Sequence, residues 1–138
     1  MSIARDLLER FFDCALRKDG AAFAKLFVDG GMLALPFAKL QYVGTHAIAE
    51  RTQRAWDTSA VAPTRFELTA LIECETGLTA EYTVHGTVNA TGAPCQTHSI
   101  AVLDIGGAQI VAMREYVVAI DAPVEPRPRR PSAVDLAR

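Results

Sequence analysis

Two alternating runs, 97–104 and 109–117, meet around Ile105-Gly106-Gly107-Ala108, and this stretch constrains the chain more than any other. Glycine accepts the positive φ that tight hairpin turns require, so the pattern predicts a β-hairpin. A two-residue loop joining Ile105 to Ala108 and a four-residue loop joining Asp104 to Gln109 predict the same register. Val102 then faces Val111, Ile100 faces Met113, and His98 faces Glu115. Directly opposed side chains share one face of a sheet. Most of these are apolar, so that face is expected to look into the core. An imidazole and a carboxylate would then lie side by side at the end of an apolar strip, a candidate proton-transfer pair.

The period-two pattern begins earlier, after Ala62-Pro63. It predicts strands over 65–72, 79–89, 95–104 and 109–120, separated by Glu75-Thr76-Gly77 and by the loop 90–94. Consecutive strands with short turns make an antiparallel meander. Upstream the period is helical. Ile3, Leu7, Leu8, Phe11, Phe12 and Ala15 form one stripe of a helix over 2–17. Asp19 is placed to cap a second helix over 20–28, ended by Asp29-Gly30-Gly31. A short strand at 32–35 stops at Pro36, and Thr45 is placed to cap a third helix running to about Asp57. Helices first and strands afterwards predict an α+β domain over 1–121, with the helices packed on one face of a curved antiparallel sheet. Residues 122–138 hold four of the seven prolines and read as a Pro/Arg-rich extended tail.

The 138 residues suit one domain, and a net charge of −2 supplies no basic field for nucleic acid. No apolar run has the length of a membrane span, and the amphipathic N-terminal segment is unlike a signal peptide. Three cysteines without metal-ligand spacing suggest reduced thiols and a cytoplasmic setting. His46, His85 and His98 form no ligand set with tight spacing, no glycine loop suits a phosphate, and no Gly-x-Ser-x-Gly elbow is present. No metal or cofactor is expected.

Three stretches carry a family resemblance. They are Phe23-Ala24-Lys25-Leu26-Phe27-Val28-Asp29, Tyr42-Val43-Gly44-Thr45-His46-Ala47-Ile48, and Ile110-Val111-Ala112-Met113-Arg114-Glu115-Tyr116. In order and spacing over about residues 4–121 the chain resembles the NTF2-like superfamily, the cone-shaped α+β fold of ketosteroid isomerase and the SnoaL-like polyketide cyclases. The resemblance implies a pocket between helices and sheet, and a homodimer contact through the outer sheet face, where Arg114 and Tyr116 would lie. It implies no single activity, because the fold hosts isomerases, cyclases, dehydratases, epoxide hydrolases and non-catalytic modules. Ketosteroid isomerases carry an Asp base just before the proline of the first strand, whereas this chain has Ala34-Leu35 before Pro36. Its first helix offers Phe11 and Phe12 with no tyrosine for an oxyanion pair. Members with an acidic residue on a late strand are nearer, and Glu115 matches that position.

The expected chemistry is therefore cofactor-free isomerisation, cyclisation or dehydration of a small hydrophobic carbonyl or polyketide-like molecule. Glu115 would move the proton and His98 would orient or share it, while Tyr82 or His85 would stabilise oxyanion charge. The register of the 79–89/95–104 hairpin decides whether His85 or Tyr82 and Val84 join the face of His98. Trp56, Phe12, Met32, Phe37 and Tyr42 are candidate walls for a flat apolar ligand. The alternatives are a structural His98–Glu115 ion pair and a non-catalytic module that binds a hydrophobic ligand or dimerises.

Overall fold

The computed structural model describes residues 2–120, and the side chains of 119 and 120 lie outside that description. The tail expected over 122–138 lies outside the described residues. The element order is α1 Ile3–Arg17, α2 Gly20–Ala24, β1 Phe27–Leu35, a single 3-10 turn Pro36–Ala38, β2 Leu40–Val43, α3 Thr45–Asp57, β3 Val61–Cys74, β4 Gly77–Val88, β5 Pro94–Gly106 and β6 Gln109–Ile120.

Helix α1 starts where Ser2 accepts a hydrogen bond from the Arg5 amide and stops where Lys18 turns left-handed at φ 55°. Its outer face is laced by i,i+4 ion pairs, among them Asp6–Arg10 and Asp13–Arg17, both at 2.9 Å. Its inner face buries Leu7, Leu8, Phe11, Cys14 and Ala15. Asp19 caps α2 through the Ala22 amide at 2.9 Å, as its position implied, but α2 ends at Ala24 rather than 28. Phe27 is already strand, and Asp29-Gly30-Gly31 lies inside β1 as an irregularity in its pairing. Thr45 is the first residue of α3, and Gly44 at φ 93° occupies the cap position with no side-chain bond.

The six strands form one sheet in the order β2-β1-β6-β5-β4-β3. The meander β3 to β6 is antiparallel, as alternation predicted, while β1 joins the edge of β6 in parallel. The helices cover one face, and the core between them includes Phe23, Phe27, Ile48, Leu78, Leu103, Ile110 and Met113. Gly20 permits α2 to approach α3, since a Cβ there would meet the Ala49 carbonyl and Gln53 at 3.0 Å. Gln53 ties the same corner, accepting from the Gly20 amide at 2.8 Å and donating to the Lys18 carbonyl at 3.0 Å.

The β5–β6 hairpin departs from its expected register in two steps. Its turn is centred on Gly107 and Ala108, one residue later than expected, so Gly106 pairs with Gln109. That displacement alone keeps every side chain on its expected face. A bulge then intervenes: Ile105 pairs with Ile110 but Asp104 pairs with Ala112, leaving Val111 as an extra residue in β6. One extra residue exchanges the faces of everything beyond it. Glu115 consequently lies opposite Ala101, and His98 lies opposite Val118. The expected His98–Glu115 pair does not form, because the two side chains are on opposite faces of the sheet.

Candidate active site

A pocket of about 290 Å³ opens between the helices and the covered face of the sheet. Phe11 of α1 and Trp56 of α3 form one wall; Leu33 and Leu35 of β1, Phe66 of β3, Val84 of β4 and Val117 of β6 form the other. Strand alternation delivers the latter set, since in-register neighbours share one face. The same alternation brings Tyr82, Ser99 and Glu115 in among these apolar groups.

The phenol of Tyr82 donates to Glu115 Oε1 at 3.1 Å. Tyr82 is 2% exposed and is gripped by the rings of Phe12 and Phe66, with centroids at 4.9 and 5.8 Å. Ser99 is its cross-strand neighbour, and its hydroxyl acts to lower the phenol's pKa. Burial pushes the Glu115 carboxyl above its ordinary range, while the Tyr82 hydrogen bond and the positive charge of Arg51 act against that rise. Burial and the adjacent Glu115 charge push the Tyr82 phenol well up, so it stays a neutral donor at physiological pH. The pair is thus a proton acceptor of increased basicity beside a donor that does not ionise.

Arg51 enters the pocket from α3. Its Nε donates to the Tyr42 hydroxyl at 3.0 Å, and its guanidinium lies 5.5 Å from the centre of the Tyr42 ring. Thr52 also lines the pocket, and its Oγ1 is the one buried side-chain polar atom among the described residues with no hydrogen-bond partner.

Of the residues singled out from the sequence, Glu115, Tyr82 and Trp56 meet in this pocket. Phe12 stands behind Tyr82, stacked on Phe66 at 4.7 Å, and does not reach the pocket. Tyr42 holds Arg51 rather than lining the wall. Met32 alternates with Leu33 and leaves the pocket to it. Phe37 is 70% exposed and packs at 5.2 Å against Tyr116, on the uncovered face. His98 is on that face too, its Nδ1 3.1 Å from Thr83 Oγ1. So is His85, whose Nε2 is 2.7 Å from Glu67 Oε1. Two groups in the site, Arg51 and Ser99, had no motif to announce them. On α3 only Trp56 had been singled out from the sequence, and Thr52, one helical turn before it, lines the pocket beside it.

Among the described residues no helix is long and apolar enough to cross a membrane, and no three His, Cys, Asp or Glu side chains gather as metal ligands. No functionally curated protein matches the chain. Solved structures do. A candidate isomerase from Bacillus subtilis is 22% identical with a TM-score of 0.71, over 84% of this chain and 86% of that one. A candidate SnoaL-like polyketide cyclase from Shewanella denitrificans is 13% identical with a TM-score of 0.67, over 86% and 92%. An LEH-like epoxide hydrolase from M. tuberculosis is 14% identical with a TM-score of 0.65, over 84% and 83%. At these identities the likeness is one of fold, shared by proteins of differing chemistry. The SnoaL-like domain family matches residues 8–113, from the middle of α1 into β6, and the chain belongs to that family.

Proposed function

We propose that the protein is a cofactor-independent enzyme that moves a proton on a small hydrophobic carbonyl compound, as an isomerase, cyclase or dehydratase does. The Tyr82–Glu115 hydrogen bond at 3.1 Å inside an apolar pocket carries this reading. Ionised Glu115 removes a proton from the carbon next to the carbonyl. A carboxylate of raised pKa is a stronger base, and general acid–base groups work best when tuned towards the ambient pH. As Glu115 takes the proton its charge disappears, and the Tyr82 hydroxyl becomes free to donate to the new enolate oxygen. Glu115 then returns the proton, to a different carbon in an isomerisation or to a departing hydroxyl, which leaves as water, in a dehydration. His98 and His85, on the other face, take no part.

The test is α-proton exchange. A panel of aryl ketones and β-diketones in D₂O, followed by proton NMR, should lose its α-proton signals faster with the protein than with buffer. Glu115→Gln should keep ligand affinity and slow that exchange by about 10²- to 10⁴-fold. Compounds that bind the pocket without any exchange above buffer would replace this reading with that of a non-catalytic binding module.

The proposal extends to assembly and setting. The uncovered sheet face exposes Phe37, Ile100 and Val118, which supports pairing of two copies through it. Cys14, Cys74 and Cys95 are free thiols, in keeping with a reducing cytoplasm.

A further inference from the structure

Arg51 stands apart from the other arginines. Arg5, Arg10, Arg17, Arg54, Arg65 and Arg114 each pair with a carboxylate within 4 Å, at separations from 2.9 to 3.7 Å. Arg51 alone among the described arginines has no such partner, although it is half-buried and lines the pocket. Glu115 shares the cavity and feels the Arg51 charge, yet the two make no ion pair. The side chain is nonetheless fixed. Tyr42 holds it from one side by its hydroxyl and its ring face, which occupies Nε. The terminal guanidinium nitrogens are left over. A guanidinium drawn out of water without a counter-ion is costly, and its planar fork matches a carboxylate. Lys18 adds a second cationic residue to the same lining.

We propose that the ligand of this pocket is an anion: an apolar body carrying one carboxylate, which seats against the guanidinium of Arg51. This rests on the pocket reading above and narrows its substrate class to hydrophobic acids.

Pairs of matched shape and different charge test this: 2-naphthoate with 2-naphthamide, cinnamate with cinnamamide, and hexanoate with hexanamide, titrated calorimetrically at pH 7.5 into the full chain. The acids are expected to bind at least about 10-fold more tightly than their amides. Arg51→Gln should abolish that preference while leaving amide affinity in place. Tyr42→Phe, which keeps the ring and removes the hydroxyl, should reduce the preference and covers the case in which the arginine variant fails to fold. Amides that bind as well as acids, or an acid preference that survives in folded Arg51→Gln, would overturn the assignment and leave the pocket reading intact. Failure of every acid and every amide to bind would overturn both.

Discussion

Glu115 is drawn in two directions, up by its apolar surroundings and down by Tyr82 and Arg51, and the upward pull wins. That balance ties stability to pH. Below the ordinary carboxyl value of 4.5 the group is protonated in both folded and unfolded chains and costs nothing. As pH rises above 4.5 the unfolded chain releases its proton first, so the folded state loses stability until its own raised value is passed. Glu115→Gln carries no such proton. Urea unfolding between pH 4 and 8 should therefore show wild type losing ground to Glu115→Gln as pH rises. Tyr82→Phe, lacking the bond that restrains the carboxyl, should extend the loss to higher pH. Curves that stay parallel across that range would mean that Glu115 has no raised pKa. The glutamate was legible in the sequence because it interrupts an apolar strand beside the Arg-Glu-Tyr signature. Its partner was not, since Tyr82 reaches it only through pairings that no local pattern encodes.

The β5–β6 hairpin shows where local pattern stops being sufficient. Alternation announces a strand, and the four long strands lie where it placed them, give or take their ends. Register depends on the turn and on bulges, and Ile105-Gly106-Gly107-Ala108 offers several turns of similar cost. The chain uses the one that puts Gly107 at φ 63°. Gly107→Ala should destabilise the protein by about 1 kcal/mol, because an L residue is strained there. The check is a lowered urea midpoint with unchanged slope. The α2–β1 junction failed for a related reason. Phe23, Leu26 and Phe27 recur at helical spacing, yet Phe27 is inward-facing in a strand as well, and both readings bury it.

The whole sheet has two faces with different duties. The helices and the pocket take one; the other keeps Ile100 at 38%, Val118 at 56% and Phe37 at 70% exposure. If two copies meet there, the protein sediments at twice the 14.9 kDa chain mass, and Val118→Asp sediments as the single chain with its pocket binding retained. A wild type that sediments as one chain would end the dimer proposal without touching the pocket. The layer order was readable from helices preceding strands. The parallel docking of β1 on β6 was not, because it joins segments at opposite ends of the described chain.

The unpaired Val111 has an evolutionary corollary. Losing or gaining one amino acid ahead of Arg114 would turn β6 over, sending its glutamate to the uncovered side and its tyrosine indoors. Kin that spell the same tripeptide can thus aim it in opposite directions. Gap placement in this hairpin, rather than identity at aligned columns, decides whether that carboxyl faces the pocket or the open side of the sheet.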